Sequence, residues 1–515
     1  MGPPSATLRR QLASLLVVRC SGHGRDGQRR YPRWELRNAE LRRLLEQGVG
    51  GVILLGGSAE ELRLRCEQLQ GWAGQPLLLC ADVEEGVGQR FEGASWLVPP
   101  LALGRLHGTD PQRAERLAER YGRCTGRQAR LLGLNWVLGP VCDVNNTPAN
   151  PVINVRAWGE DPATASALVS AFSRGLQSQG VLGCAKHFPG HGDTDVDSHL
   201  GLPIINTPRE RLDQVEFPPF RAGIDAGADA IMTAHIEIPA LDNGAFAPSS
   251  LSEKITTDLL RGEMKFDGLI YTDSMGMDAV SKALSPGDAA VRAVKAGNDI
   301  VLHSPDDAAA FAGIKAAVEK GDITVTRIDT SVKRILRAKA RVGLNTQKLV
   351  PLDKVAELVG GREHAKVAGQ IGQRAITLIK DAKNHVPLKL ARNASVLYLS
   401  VLDYPNGWRI ATPSRTFIPE LRRRYPGTTS IEVSDRTTPA ELDLIRASAS
   451  KYDAIVVSIF VRASSGSGRM DLAAPVTKLL NDVAKAAGNK PMVTTFFGNP
   501  YVAMFLPDLP AMLLT

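Results

Sequence analysis

The densest group of chemically active side chains lies between Lys186 and His199, in the sequence KHFPGHGDTDVDSH. These fourteen residues contain three histidines, three aspartates and a lysine. Pro189, Gly190 and Gly192 favour a loop there rather than a helix. Because packing does not explain three of the chain's nine histidines in one short segment, the pattern predicts a functional loop.

Two kinds of chemistry compete for this loop. Histidine and aspartate are common metal ligands, but the loop has no HxH or HExxH spacing and the chain has no second dense ligand cluster. The alternative is proton transfer by a carboxylate–imidazole pair. Asp197 and His199 are two residues apart, so in an extended loop their side chains can converge on one face. We therefore predict proton transfer and no metal or other cofactor.

A second candidate is Asp273, which ends the apolar run Gly268–Thr272. An aspartate at that position can cap the following helix. It can also act as a carboxylate nucleophile at the mouth of a barrel. Retaining glycosidases need such a nucleophile together with a separate acid/base group.

Short apolar runs that alternate with helical patterns would position these groups. The clearest runs are Gly51–Leu55, Leu77–Ala81, Leu134–Leu138, Val181–Ala185, Ala228–Thr233, Gly268–Thr272 and Asp299–Leu302. Amphipathic segments such as Asp161–Gln179 lie between them, and Asp161-Pro162 is a favourable helix start. Alternating strands and helices predict a parallel α/β fold. We favour a (β/α)8 TIM-type barrel over an open doubly wound sheet.

Polar residues follow several of these runs directly. Asp82, Lys186-His187, His235 and Asp273 each come at or just after the end of an apolar run. The carboxyl ends of parallel barrel strands share one face, which is where (β/α)8 enzymes place their active sites. We therefore expect these side chains to lie close together.

The Lys186–His199 segment resembles the signature of the bacterial β-N-acetylglucosaminidase branch of glycoside hydrolase family 3. The segment Asn150–Arg156 with Gly159–Pro162, the segment Met232–His235 and the Asp273 strand are also similar to that family. The resemblance runs from about Gly48 to Leu344, and the region beyond it is more loosely similar to the family's α/β sandwich domain.

The resemblance implies a role for each candidate. Asp273 would be the nucleophile, and His199 would be the general acid/base oriented by Asp197. The family's β-glucosidases differ, since they use a carboxylate from another segment. The residues that would bind sugar hydroxyls in the pocket are Asp82, Arg90, Arg156, Lys186 and His187, with His191 and His235 in supporting positions.

The segment Asp82–Arg90 departs from the family pattern at one place. Glu85-Gly86-Val87 stands where the usual pattern carries Gly-Gly-Arg. The departure leaves Asp82 and Arg90 in place. A local ion pair between these two side chains is the alternative to a role in binding.

The chain is expected to form two domains. We predict a catalytic domain over residues 1–345, a linker and helix over 346–375, and a smaller α/β domain over 376–515. Strand candidates in the last region are Val396–Val401, Ala454–Phe460 and Met492–Phe497. The chain stops soon after an apolar run, which suggests a second domain that is truncated or naturally short.

Composition limits the expected class of protein, its partners and its compartment. Of 515 residues, 43% are hydrophobic and 23% charged, which is typical of globular proteins, and the formal net charge is +8. An arginine-rich stretch, Arg29–Arg43, is either a solvated face or a weak attractor of anionic polymers. No basic segment is interleaved with stacking aromatics, so we expect no nucleic-acid partner. Six scattered cysteines, no export signal and no apolar run of membrane-spanning length predict a cytoplasmic, monomeric enzyme.

The sequence thus predicts an exo-acting retaining hydrolase that releases terminal β-linked N-acetylglucosamine, with peptidoglycan fragments or chitooligosaccharides as substrates. A glycoside phosphorylase on the same site competes with this prediction, since an imidazole acid/base does not repel incoming phosphate as a carboxylate would. A β-glucosidase and a non-catalytic carbohydrate-binding protein are weaker candidates. The intact Asp197-Ser198-His199 and the competent residues at every catalytic position argue against both.

Overall fold

The chain divides into two compact units. The computed structural model describes residues 6–194, 196–346, 349, 361–402, 414–462 and 470–515. The first unit ends at Ile371, and the second runs from Gly372 to Thr515. The predicted linker falls largely outside the described residues, and the helix expected after it spans Arg362–Ala375. The domain boundaries drawn at 345 and 376 stay a prediction.

Eight parallel strands form the centre of the first unit. They are β1 (Leu16–Cys20), β2 (Gly51–Leu54), β3 (Leu78–Ala81), β4 (Trp136–Val137), β5 (Cys184–Phe188), β6 (Ala230–Thr233), β7 (Leu269–Thr272) and β8 (Val301–Leu302). A separate two-residue ladder joins Gly57–Ser58 to Phe91–Glu92.

The pairing of these strands curls the sheet round on itself. β1 pairs with β2, β2 with β3 and β3 with β4, and β6 pairs with both β5 and β7. Isolated parallel bridges connect β4 with the β5 segment and β7 with the residue before β8. β8 then pairs with β1. The first unit is therefore an α/β fold with a curled parallel sheet, and its strands end on a common edge.

Helices cover the sheet in the first unit. Their bounds are Ala6–Ser14, Asn38–Gln47, Ala59–Trp72, Leu101–His107, Pro111–Leu131, Pro162–Gln177, Arg209–Gln214, Phe217–Asp225, Asp278–Ser281, Pro286–Ala296, Asp307–Lys320, Val325–Arg341 and Arg362–Ala375, with a π-helix at Lys254–Glu263. The predicted helix start is confirmed, because Asp161 accepts a hydrogen bond from the N–H of Thr164 and Pro162 follows it. Within the described residues, no helix is both long enough and apolar enough to cross a bilayer.

Each of the seven predicted apolar runs overlaps a strand, and the bounds of one strand need correction. β5 begins at Cys184 rather than Val181, so Lys186 and His187 lie inside the strand and not after it. The sequence prediction omitted β1, because β1 begins just after the helix that ends at Ser14. The apolar run there is continuous, so a helical and a strand period cannot be separated.

Aromatic and sulfur-bearing side chains from facing strands pack inside the curled sheet. The rings of Trp136 and Tyr271 meet edge to face with centroids 4.6 Å apart. The Tyr271 hydroxyl lies 2.6 Å from Sγ of Cys184. All six cysteines are buried free thiols. Burial raises the pKa of Cys184 to about 12, so this thiol is neutral.

The second unit has a six-stranded sheet. Its strands are β9 (Thr377–Asp381), β10 (Ser395–Leu402), β11 (Gly427–Val433), β12 (Ala454–Val461), β13 (Met492–Gly498) and β14 (Ala511–Leu514), in the spatial order β9-β14-β13-β12-β10-β11. All neighbours are parallel except β9 and β14. The three strand candidates are confirmed, and the apolar run near the C-terminus forms β14.

Both faces of this second sheet are covered. Leu397 and Leu399 of β10 enter one apolar cluster, whereas the alternate residues Val396 and Tyr398 enter another. The helices that span Pro439–Ala449 and Ala474–Ala487 contribute to the first cluster, and Ser414–Arg424 contributes to the second.

Candidate active site

Four charged side chains meet beside the end of β3, namely Asp82, Glu84, Arg156 and Lys186. Glu84 accepts two hydrogen bonds from Arg156, from Nε and Nη2, each at 2.8 Å. Nζ of Lys186 lies 2.7 Å from Oδ1 of Asp82 and 2.7 Å from Oε1 of Glu84. Lys186 is 1% exposed, so its charge requires these carboxylates. The cluster holds donors and an acceptor in one geometry, as a site for sugar hydroxyls requires.

Glu84 is the centre of this cluster. Burial alone would raise the pKa of Glu84, but Arg156 and Lys186 hold it well below the usual range. Burial would likewise lower the pKa of Lys186, but Asp82 and Glu84 raise it above the usual range. Glu84 and Lys186 are therefore both charged at neutral pH.

Arg90 lies at the edge of the cluster. Its Nε donates to the backbone carbonyl of Asp82 at 3.1 Å, and the Asp82 carboxylate pairs with Lys186 instead. The unusual Glu85-Gly86-Val87 segment is accommodated locally. Gly86 has a φ of +83°, and Oε2 of Glu85 accepts a 2.7 Å hydrogen bond from Nε1 of Trp96.

His187 is oriented by a buried carboxylate that the sequence prediction missed. Oδ2 of Asp143 accepts from Nδ1 of His187 at 2.7 Å, and Oδ1 accepts from the backbone N–H of His191 at 2.7 Å. On the other side of the ring, Nη2 of Arg156 lies 3.3 Å from Nε2 of His187. The proton therefore belongs on Nδ1, and Nε2 is an acceptor.

The charge of Asp143 follows from the same contacts. Burial alone would raise the pKa of Asp143, but His187 and His191 lower it. Asp143 is thus an anionic acceptor that fixes one tautomer of the neighbouring ring, which makes it a positioning residue for His187.

We expect Asp143→Asn to lower kcat/KM by about 10- to 100-fold, the loss typical of a hydrogen bond to a charged group. If Oδ1 keeps its bond to the N–H of His191, the new amide N–H2 faces Nδ1 of His187. The imidazole must then carry its proton on Nε2, opposite the guanidinium of Arg156. Nitrogen-15 NMR of His187 should report this change of tautomer. An unchanged tautomer together with full activity would contradict the assignment.

Hydrogen bonds from buried side chains hold the loop that follows β5 in place. His191 bridges Thr194 and Ser198, with Nδ1–Oγ1 at 3.0 Å and Nε2–Oγ at 2.9 Å. Burial lowers the pKa of His191 to about 4, so the ring is neutral. Nδ2 of Asn150 donates to the carbonyls of His191 and Gly192, each at 2.9 Å. These contacts fix the loop that carries Asp197 and His199.

Asp197 and His199 form the predicted pair. Oδ1 of Asp197 accepts from the backbone N–H and from Nδ1 of His199, each at 2.8 Å. The Asp197 carboxylate is fully buried, whereas the imidazole is 35% exposed. The other ring nitrogen, Nε2, is then the one that can exchange a proton with a ligand.

Asp273 follows β7 directly, as predicted, and its environment is rich in imidazoles. Burial alone would raise the pKa of Asp273, but His187, His235 and His199, together with the N–H of Ser274, lower it to about 2. That N–H donates to Oδ1 of Asp273 at 2.7 Å. The carboxylate is therefore ionised at neutral pH, the state that a nucleophile needs.

Two further histidines hold the backbone and side chain of the residue that follows Asp273. Nε2 of His235 donates to the carbonyl of Ser274 at 3.0 Å, and Oγ of Ser250 lies against its Nδ1. Nδ1 of His303 lies 2.9 Å from Oγ of Ser274. Burial lowers the pKa of both rings, for His303 to about 3. Both are neutral positioning groups.

The structure thus brings together most of the predicted site residues. Asp82, Arg156, Lys186 and His187 form one connected cluster, and Asp273 lies within the electrostatic reach of His187, His199 and His235. Arg90 donates to the backbone carbonyl of Asp82, and His191 supports its own loop through Thr194 and Ser198. In the part of the chain that the structure describes, no group of three or more His, Cys, Asp or Glu side chains is placed to hold a metal ion.

Sequence reasoning missed Glu84, Asp143, Ser274 and His303. Glu84 is two residues beyond Asp82, and Asp143 and His303 follow β4 and β8. The signal that could have found them is the one that found Asp273, namely a polar residue just after a strand. Both β4 and β8 have such a residue within a few positions of their ends.

Known proteins resemble this chain in sequence and in fold. Residues 7–338 match the model of the glycosyl hydrolase family 3 N terminal domain. A beta-hexosaminidase of Stenotrophomonas maltophilia (strain K279a) is 37% identical over 273 residues, which are 52% of this chain and 80% of that protein. The chain belongs to glycoside hydrolase family 3.

Two other relatives extend the comparison. A beta-N-acetylglucosaminidase/beta-glucosidase of Cellulomonas fimi is 32% identical over 367 residues, 70% of this chain. The chain spans only 64% of that relative's length. The solved structure of a glycoside hydrolase family 3 beta-N-acetylglucosaminidase from Paenibacillus sp. str. FPU-7 has a TM-score of 0.84 and 29% identity, covering 98% of this chain and 93% of that one.

Proposed function

We propose that this protein is an exo-acting, retaining β-N-acetylglucosaminidase. The observation that carries the proposal is an ionised Asp273 within electrostatic reach of His199, whose Nδ1 is bonded to Asp197. The names of the Stenotrophomonas, Cellulomonas and Paenibacillus relatives support the same activity. We also propose that the curled sheet is a (β/α)8 barrel and that the second unit is the family's α/β sandwich domain.

The geometry gives each group a step. The Asp273 carboxylate attacks the anomeric carbon while His199, protonated on Nε2, gives its proton to the departing glycosidic oxygen. The glycosyl–Asp273 ester is then hydrolysed by water, whose proton returns to Nε2 of His199. The Asp197 carboxylate keeps Nδ1 protonated and stabilises the imidazolium.

The Glu84 cluster serves binding. Asp82 and Lys186 present an acceptor and donors at 2.7 Å from each other, and Arg156 and His187 extend this set. Hydroxyl contacts that strengthen as the ring distorts lower the barrier of the chemical step. Arg90 would act through the backbone of Asp82 rather than by direct contact.

The proposed substrates are muropeptide fragments of peptidoglycan or chitooligosaccharides, and the proposed setting is a cytoplasmic monomer. Six buried free thiols support a reducing compartment. A phosphorylase on the same site is the second candidate, and the imidazole acid/base favours it, because an imidazole does not repel phosphate.

Nitrophenyl substrates decide between these functions. We expect kcat/KM on the β-N-acetylglucosaminide to exceed that on the β-glucoside by at least about tenfold, since the acetamido group adds contacts to the pocket. NMR should show the β-anomer as the first product, at a rate that phosphate leaves unchanged. A sugar 1-phosphate formed in phosphate buffer would establish the phosphorylase, and a preference for glucoside would establish a β-glucosidase.

A further inference from the structure

The helix Pro111–Leu131 carries one kind of charge along its exposed side. It contains six arginines against two glutamates. The arginines recur at alternating intervals of three and four residues, and they are Arg113, Arg116, Arg120, Arg123, Arg127 and Arg130. We call these six residues the arginine row. Because an α-helix has about 3.6 residues per turn, this spacing places them on one side of the helix, over a length of about 25 Å.

The arginine row makes up nearly all of the helix surface that solvent reaches. Between Arg113 and Arg130, the only exposed residues are five members of the row, and Arg120 is half-buried. Glu115 and Glu119 are also half-buried, and every other residue in this stretch is buried. Like charges at these spacings destabilise an isolated helix, and mixed charges solvate a surface equally well. The uniform sign is therefore a feature that solvation alone does not explain.

Close packing fixes this helix against the helix Pro162–Gln177. A Cβ added to Gly122 would lie 2.1 Å from the carbonyl oxygen of Phe172, and one added to Gly175 would lie 1.9 Å from a backbone oxygen of the first helix. Only glycine fits at these two contacts. Because the two backbones touch, the first helix cannot roll without losing this packing. The arginine row is therefore presented to solvent in a fixed orientation.

The charges of the arginine row are only partly balanced. Three members pair with exposed carboxylates, which are Asp110 for Arg113, Glu363 for Arg120 and Glu119 for Arg123. Arg130 donates to the carbonyl of Gly180 at 2.6 Å. Arg116 and Arg127 are exposed, and among the residues that the structure describes neither has a carboxylate within ion-pair distance. Since pairs between exposed side chains are weak, a phosphate can replace the carboxylates as well as bind the two unpaired arginines.

We propose that the arginine row binds linear inorganic polyphosphate. Each guanidinium can donate two hydrogen bonds to phosphate oxygens. The row is one side chain wide, so it matches a linear chain better than the plane of a bilayer. The exposed side of this stretch has no aromatic or aliphatic side chain, so it offers nothing to a base, a sugar ring or an acyl chain. The proposal is independent of the glycosidase function, because the catalytic scheme uses none of these arginines.

Binding of end-labelled, long-chain polyphosphate to the full chain tests the proposal, with fluorescence anisotropy as the readout. Orthophosphate and tripolyphosphate serve as unlabelled competitors. Affinity should rise from orthophosphate through tripolyphosphate to a chain longer than the row, because each further phosphate reaches another guanidinium. The logarithm of the association constant should fall linearly with the logarithm of the salt concentration, as for other polyanions that release counterions. Equal affinity for tripolyphosphate and the long chain would overturn the proposal.

Two matched double variants assign the binding to residues. Arg116→Gln/Arg127→Gln removes two charges without breaking an ion pair, and glutamine is a good helix former. This variant should bind the long chain about 10- to 100-fold more weakly, with a salt slope lower by about two. Lys295→Gln/Lys333→Gln removes two exposed charges from other helices of the same unit and should change neither quantity. An equal loss in both variants, or full affinity in the first, would contradict the assignment to the row.

Two other anions separate polyphosphate from competing partners. A single-stranded RNA of matched length adds bases to its phosphates, and vesicles that contain phosphatidylglycerol present phosphates in a plane. The long polyphosphate should bind more tightly than either. If RNA or the vesicles bound more tightly and lost that binding in Arg116→Gln/Arg127→Gln, polyphosphate would be the wrong partner. Both double variants should melt at the temperature of the wild type, because neither loses a buried contact, so a loss of binding is not a loss of fold.

Discussion

Replacing Asp273 with alanine is expected to lower kcat by roughly 10⁴- to 10⁶-fold, the range seen when a covalent nucleophile is removed from other hydrolases. The reason is that the neighbouring carboxylates are held by other side chains and cannot replace Asp273 as the nucleophile. Asp82 and Glu84 are engaged with Lys186 and Arg156, and Asp143 is bonded to His187.

The ionisation of Asp273 also leads to an expectation about how kcat/KM depends on pH. Its folded-state pKa of about 2 lies below the ordinary value of 3.8, so the carboxylate stays charged as the pH falls through 5 and 4. An acid limb of kcat/KM in that range must therefore come from another group. A titration of Asp273 itself between pH 4 and 6 would contradict the environment described above.

A small external nucleophile distinguishes the role of Asp273 from a structural one. Azide can enter the space that Asp273→Ala opens and attack the anomeric carbon once, which gives the α-glycosyl azide from a β-substrate. In the wild-type enzyme, a fluorinated N-acetylglucosaminyl fluoride should label the peptide that contains Asp273, as read by mass spectrometry. A label on any other carboxylate, or β-azide from this variant, would refute the assignment.

The fold was largely predictable because apolar runs and strand ends are local signals. The runs around β2 to β8 are short, apolar and separated by amphipathic segments, so each predicts a strand. β1 was missed for a physical reason, since its apolar run continues out of a helix without a break. Pairing was not predictable, because the contact of β8 with β1 joins residues almost three hundred positions apart.

In the candidate site, too, local features were predictable from the sequence and long-range contacts were not. Asp273 and Asp82 follow strands, and Asp197 lies two residues from His199, so local sequence was enough to propose them. Asp143 and Glu84 gain their meaning from partners that are 44 and 72 residues away. An isolated carboxylate after a strand is ambiguous until the strands are placed. Single-sequence reasoning therefore proposed the candidate reacting groups more readily than the side chains that contact them in the structure.

Replacing His199 with alanine should lower kcat by about 10²- to 10⁴-fold on substrates with a sugar leaving group, the usual contribution of general acid catalysis. For 2,4-dinitrophenyl N-acetylglucosaminide, the phenolate departs without a proton. The variant should therefore form the glycosyl–Asp273 ester at nearly the rate of the wild type. His107→Ala, at the end of the helix Leu101–His107, is a matched control and should have no effect.

Asp197→Asn tests the dyad more finely. Oδ1 can still accept from the backbone N–H of His199, but the anionic partner that stabilises a protonated imidazole is lost. We expect kcat to fall about tenfold, less than in His199→Ala, because the imidazolium that forms during proton transfer loses its anionic partner. An Asp197→Asn variant with the kcat of the wild type would show that the carboxylate only caps the turn.

Azide separates the two catalytic roles in a single assay. In His199→Ala, Asp273 still forms the glycosyl ester from a dinitrophenyl substrate, and azide then displaces it without general base help. Two inversions give the β-glycosyl azide, the opposite anomer from that of Asp273→Ala. If both variants gave the same anomer, one of the two residues would have been assigned the wrong step. The two anomers together therefore test whether attack on the sugar comes from Asp273 and proton transfer from His199.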